Sequence, residues 1–166
     1  MNRLIFHVLS LLGAILTYVS YQSLPAKIAV HFGITGRADR WASKGEWLAV
    51  GLILFGGMWL MFVGIMSLMR KIPNDIINVP NKEYWLSPEN KERFLELFSN
   101  SMYGFGWTTQ ALFLGVGIVV FYGATANSIN QIAMYSLLLG YCIVTVAFVV
   151  NLVKQFQVDK STTDSA

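Results

Sequence analysis

Four stretches of this chain, residues 4–21, 47–69, 102–124 and 131–153, contain no Asp, Glu, Lys or Arg. The first is 18 residues long and each of the others 23. As helix, 18 residues reach roughly 27 Å at about 1.5 Å per residue, close to the thickness of a bilayer's hydrocarbon core. Runs of this kind read as transmembrane helices, and they leave little freedom for anything else. Only 13% of the residues are charged, against 55% hydrophobic, where soluble domains carry about a quarter charged. Mean hydropathy is +0.53. The expected fold is all-α and integral to the membrane: a four-helix transmembrane bundle with an ordered extracytoplasmic loop and a cytoplasmic amphipathic helix. Residues 1–154 form one membrane domain and 155–166 a polar tail.

The first run follows Arg3 at the N-terminus, so a signal peptide is the competing reading. The run is longer than a usual signal core, and YVSYQS makes a poor cleavage site, so an uncleaved helix is expected. The net charge of +3 comes from Lys and Arg outside the runs, where topology and lipid headgroups account for it and nucleic acid is not needed. With the N-terminus inside, the cytoplasmic parts hold eight Lys and Arg and the outside parts four. The positive-inside rule then gives a multi-pass, N-in/C-in membrane protein. Cys142 is the single cysteine and lies inside an apolar run, which excludes an intramolecular disulfide and a CxxC zinc or redox site.

Two polar segments carry the residues of interest. In the first, Leu24 to Trp47, Ile28, Val30 and Phe32 alternate with Lys27, Ala29 and His31. The period of two predicts an extended piece with one face against the bundle and the other presenting His31. Gly33 and Gly36 permit a reversal, across which His31 can approach Asp39, a contact expected to respond to pH. Ser43-Lys44-Gly45-Glu46 fits a capping box that starts the second helix. Three readings stay open: a structural hydrogen bond folding the loop onto the membrane, a recognition surface, and a metal site of His31, Asp39 and Glu46. The last falls short of the ligand set zinc normally takes.

The second segment runs from Lys71 to Ser101. Pro73 and Pro80 interrupt helix, and Ser87-Pro88 reads as an N-cap followed by proline at the first helical position. Phe94, Leu95, Leu97 and Phe98 oppose Lys91, Glu92 and Glu96, which predicts an amphipathic helix on the membrane surface. Asn78 and Asn81 suit Asx turns, Tyr84-Trp85 an anchor at headgroup depth, and Lys82 a contact with lipid phosphate or a partner's carboxylate. Within the spans, His7 is expected to snorkel to the interface or bond a neighbouring helix, and Thr108, Thr109 and Gln110 to bond between helices.

The stretch YQSLPAKIAVHFGITGRADRWASK closely resembles the loop of the membrane family called domain of unknown function 1648, found in toxin-immunity proteins of the SdpI type. The matching positions are Leu24, Pro25, Ile28, His31, Phe32, Gly36, Asp39 and Trp41. Ala29 stands where the family commonly has a second proline. INVPNKEYWLSPE looks like a second signature of the same family, at Asn78, Pro80, Asn81, Lys82, Tyr84, Trp85, Leu86 and Pro88. The resemblance implies that Pro25, His31, Phe32, Gly36, Asp39 and Trp41 form an outer surface that binds or senses an extracytoplasmic peptide, toxin or partner, in an immunity-like or signalling role. The alternative is an accessory or scaffold subunit of a larger transporter or enzyme complex. No P-loop, HExxH, GxSxG or intramembrane carboxylate is present, so neither an enzyme nor an ion-coupled pump is expected. No cofactor or metal is expected either, and the expected partners are the lipid bilayer and a peptide or membrane protein.

Overall fold

The computed structural model describes residues 1–157. Helix α1 (Asn2–Ser23) leads into a hairpin of β1 (Lys27–Phe32) and β2 (Ala38–Ser43). A second long helix follows, built from α2 (Lys44–Leu52), a π-helical turn (Ile53–Gly57) and α3 (Met58–Met69). After a 3-10 turn (Asn74–Ile76) and the short α4 (Lys82–Trp85) come α5 (Lys91–Ala126) and α6 (Gln131–Gln155). Four helices are long and apolar enough to cross a membrane: Asn2–Ser23, Lys44–Met69, Lys91–Ala126 and Gln131–Gln155. Each contains one of the four uncharged runs, and these four helices of the described residues are compatible with a multi-pass membrane protein. Of the expected polar tail, Gln155 instead closes α6, and residues 158–166 lie outside the described residues.

Helix α1 packs against both α2–α3 and α5, while α6 packs against α5. The contact of α1 with the second long helix depends on two glycines. A Cβ on Gly13 would stand 2.3 Å from the Phe55 ring, and one on Gly51 2.3 Å from the Thr17 side chain. Phe55 sits in the π-helical turn and is buried. Such a turn holds one residue more than an α-helical turn. Here it accompanies a Phe55 ring packed on Gly13 and set edge-on to Phe113, with centroids 6.4 Å apart.

Polar side chains join the helices. Fully buried Gln110 on α5 donates from Nε2 to Ser10 Oγ on α1 at 2.6 Å. Thr109 shares a 2.7 Å hydrogen bond with the Tyr141 hydroxyl on α6, and Trp47 Nε1 donates to Ser20 Oγ at 2.9 Å. His7 accepts from Trp59 Nε1 at 2.8 Å, which ties α1 to α3. In hydrocarbon a polar side chain has to find its partners within the protein, and these pairs supply them across helices, although the buried Gln110 Oε1 has none among the described residues. Thr108 differs from the expectation, bonding the Phe105 carbonyl of its own helix.

The second polar segment departs further from its expected form. No separate surface helix precedes the third span: α5 is continuous over 36 residues, roughly 54 Å at about 1.5 Å per residue, well beyond a core of about 30 Å. Its apolar face is covered by protein. Phe94 and Leu95 are buried with Ile77, Trp85, Leu86 and Phe156, and Leu97 and Phe98 pack against that cluster. Segment 72–90 therefore folds as a small apolar cap over the first turns of α5 and the end of α6. Ser87 and Pro88 lie in the turn before the helix. The Ser87 carbonyl accepts from the Asn90 and Lys91 amides at 3.2 and 3.0 Å, and Asn90 takes the N-cap position.

Candidate functional site

The hairpin pairs β1 and β2 antiparallel, with Lys27 opposite Ser43, Ile28 opposite Ala42 and Ala29 opposite Trp41. The register then shifts, so that His31 faces Arg40, and shifts again to put Phe32 opposite Ala38. Bulges of this kind re-aim side chains. The simple alternation already fails before the first shift: Ile28 and Ala29 are both buried and Val30 is half-buried. Beneath the hairpin, Leu24, Ile28 and Ala124 are buried together, with Val30, Trp47 and Phe121 packed around them. That cluster seats the hairpin on the ends of α1, α2 and α5. The capping box is complete: Ser43 Oγ accepts from the Glu46 amide at 3.2 Å, and Glu46 accepts from the Ser43 amide at 2.7 Å.

His31 and Asp39 meet. His31 Nδ1 lies 2.5 Å from Asp39 Oδ1, with side-chain exposures of 66% and 52%. Such an exposed pair adds only about 0–1 kcal/mol to stability. Its consequence is orientational: with Nδ1 held by the carboxylate, Nε2 is left as the free polar atom of the ring. Arg40 and Trp41 are exposed beside the pair, as is Pro25 at the hairpin's entry. Phe32 is half-buried, its ring edge 3.2 Å from where a Cβ on Gly123 would stand.

The turn between α5 and α6 holds the hairpin from the other side. Asn127, in the left-handed region at φ 54°, accepts from Trp41 Nε1 at 3.1 Å through its side chain and from the Ala38 amide at 2.9 Å through its carbonyl. The Ile129 amide donates to the Gly36 carbonyl at 2.9 Å, Arg37 bridges to Ser128, and Gln131 Nε2 donates to the Ile34 carbonyl. Gly36 is buried at φ 73°. A Cβ there would stand 2.7 Å from Gln131 Cγ, so both conformation and space call for glycine. Asn127, Gln131 and Arg37 were not legible as hairpin partners. Their one sequence signal is a short connection holding two asparagines, residues that tolerate left-handed turns.

In the second segment Asn81, Lys82, Tyr84 and Trp85 make contacts within the protein. Asn81, at φ 53°, donates from Nδ2 to the Phe156 carbonyl at 3.0 Å rather than to its own backbone. Trp85 is 5% exposed and donates to the same carbonyl at 2.9 Å, so its ring lies in the protein interior. Tyr84 is half-buried, edge-on to Trp85. Lys82 Nζ donates to the Asp75 carbonyl at 2.9 Å, away from any acidic partner. Asn78 and Pro80 are exposed. Asn74, which the sequence reading passed over, joins the segment together: its Nδ2 donates to the Leu86 carbonyl at 3.1 Å and its Oδ1 accepts from Lys91 Nζ at 2.8 Å. Among the described residues no three His, Cys, Asp or Glu side chains converge as metal ligands.

No curated protein and no solved structure matches the chain. One family does match, and its limits follow the architecture, from Val8 in α1 through the hairpin and α2 to Gly57 at the end of the π-helical turn. Over residues 8–57 the chain matches the family described as Domain of unknown function (DUF1648).

Proposed function

We propose that this is a bacterial plasma-membrane protein, N-in/C-in, whose hairpin recognises an extracytoplasmic peptide, toxin or partner without chemical turnover. The observation that carries the reading is the exposed His31–Asp39 pair on a hairpin fixed from two sides. An exposed pair contributes little to folding, yet its imidazole is oriented, and on the same hairpin the exposed Trp41 ring is held by Asn127. Rigid aromatics beside oriented polar groups are what binding surfaces concentrate. Residues 8–57, the part that matches the DUF1648 family, contain this whole surface. The resemblance to SdpI-type immunity proteins makes a membrane-active peptide the first ligand to try.

The test compares cells expressing the chain with cells expressing its His31→Ala, Asp39→Ala or Trp41→Ala variants during challenge with membrane-active peptides. Protection by the parent, lost in the variants while their membrane levels hold, is the expected result. Equal sensitivity with and without the parent chain sinks the immunity role. Loss of the variants from the membrane assigns the pair a structural role instead.

A second reading, an accessory subunit of a larger membrane complex, draws on α6. This helix contains no buried residue and shows Leu139, Ile143 and Val146 at more than 60% exposure, a face free for lipid or for another protein. Co-purification of a stoichiometric membrane partner, abolished by polar substitutions on that face, supports this reading over the first.

A further inference from the structure

At the end of the molecule opposite the hairpin, α1, α3 and α5 surround a cavity of about 750 Å³. Three arginines line it, one from each helix or its end: Arg3, Arg70 and Arg93. Arg70 is paired with Glu92, its Nη1 at 3.0 and 3.3 Å from the two carboxylate oxygens. Glu96 is the other acid on the lining. Arg3 and Arg93 have no carboxylate partner among the described residues. The Arg3 guanidinium instead lies 5.9 Å from the centre of the Tyr103 ring, a cation–π contact that positions it at low cost in solvation. Helix α1 starts here with no side-chain cap and no acid in its first turn, so its free amides add positive potential at the same end.

Depth gives the second half of the argument. Arg3 immediately precedes the uncharged run 4–21, and Arg70 immediately follows the run 47–69. Both therefore stand where hydrocarbon gives way to headgroups. Val63, Met66, Leu95 and Phe98 continue the lining as an apolar wall. A ligand that is anionic at one end and apolar at the other satisfies both parts, and basic pockets between helices are a recurrent form of headgroup site.

We propose that this cavity binds a phosphodiester anion, with an anionic phospholipid as its source. The headgroup phosphate lies among Arg3, Arg70 and Arg93, and the acyl chains follow Val63 and Met66. Nothing in the hairpin reading requires this site, so the two stand or fall separately.

Native mass spectrometry of the purified full chain, titrated with phosphatidylglycerol or phosphatidylcholine, tests the site. One phosphatidylglycerol retained per chain in preference to phosphatidylcholine is expected. Arg3→Gln and Arg93→Gln each weaken retention about fivefold, whereas Arg3→Lys, Arg93→Lys and the hairpin control Arg37→Gln leave it near the parent value. Arg3 and Arg93 are exposed, so helical content by circular dichroism stays unchanged in the variants. Equal retention of the two lipids, or glutamine variants that hold phosphatidylglycerol as the parent does, overturns the proposal. Glycerophosphoglycerol, the soluble phosphodiester of the same headgroup, separates the sources in competition. Failure to displace the lipid supports the membrane source, and displacement that depends on the same arginines overturns it in favour of a soluble phosphate.

Discussion

Gly36 shows how much a single residue fixes in this protein. It sits at φ 73°, is buried, and gives its carbonyl to the Ile129 amide at 2.9 Å. Gly36→Ala would cost about 1–2 kcal/mol for the left-handed backbone alone, and its Cβ would also press on Gln131. The expected outcome is local. Amides at the hairpin tip exchange about tenfold faster or more, while those of α1 and α5 keep their protection. Unchanged exchange at the tip would show that the α5–α6 turn does not hold the hairpin. The His31–Asp39 contact was legible in the sequence because its determinants are local: eight residues of separation and two glycines to turn the chain. The Trp41–Asn127 contact was not, because its partners are 86 residues apart and only the packing of α5 on α1 brings them together.

At the scale of elements, the π-helical turn and the glycines of α1 and α2 form one joint. Gly13 and Gly51 admit Phe55 and Thr17 at distances no side chain could share. Gly13→Ala overpacks this contact, which typically costs about 1–3 kcal/mol. Shortening the ring with Phe55→Val should return part of that loss. Urea unfolding in detergent of the two single variants and the double variant measures the coupling, expected at about 0.5–3 kcal/mol. Additive losses would mean that the two side chains do not meet. The sequence reading found the helices themselves, and the capping box set the start of the second one correctly, because hydropathy and caps are local signals. Glycine alone does not mark such a contact: a built Cβ on Gly106 would stand 2.8 Å from the Phe6 ring, whereas one on Gly56, Gly64 or Gly117 has nothing within 4 Å. Which helix faces meet is a tertiary fact. The same holds for the start of α5, where Phe94 and Leu95 show an amphipathic pattern that membrane surface and protein cap satisfy equally well. The cluster with Trp85 and Phe156 decides for the cap.

On the scale of the whole molecule, four long helices separate two polar ends of different character. One end is a hairpin seated on Leu24, Ile28 and Ala124 and clasped by the α5–α6 turn, with its charged and aromatic rim exposed. The other is an apolar cap around Trp85 and Phe156, next to the arginine-lined cavity. The uncharged runs impose this separation, since a bilayer of about 30 Å has no place for either end within it. The function proposed for the hairpin depends on the same arrangement, because a recognition surface for an extracytoplasmic ligand has to face outward. Single cysteines in a Cys142→Ser background test it directly, at exposed Thr35 in the hairpin and exposed Glu83 in the cap, labelled with a membrane-impermeant maleimide on intact cells. Labelling of Thr35→Cys from outside, with Glu83→Cys labelled only after the cells are opened, is the predicted result; labelling of both from the same side, or of Glu83→Cys alone, would contradict it.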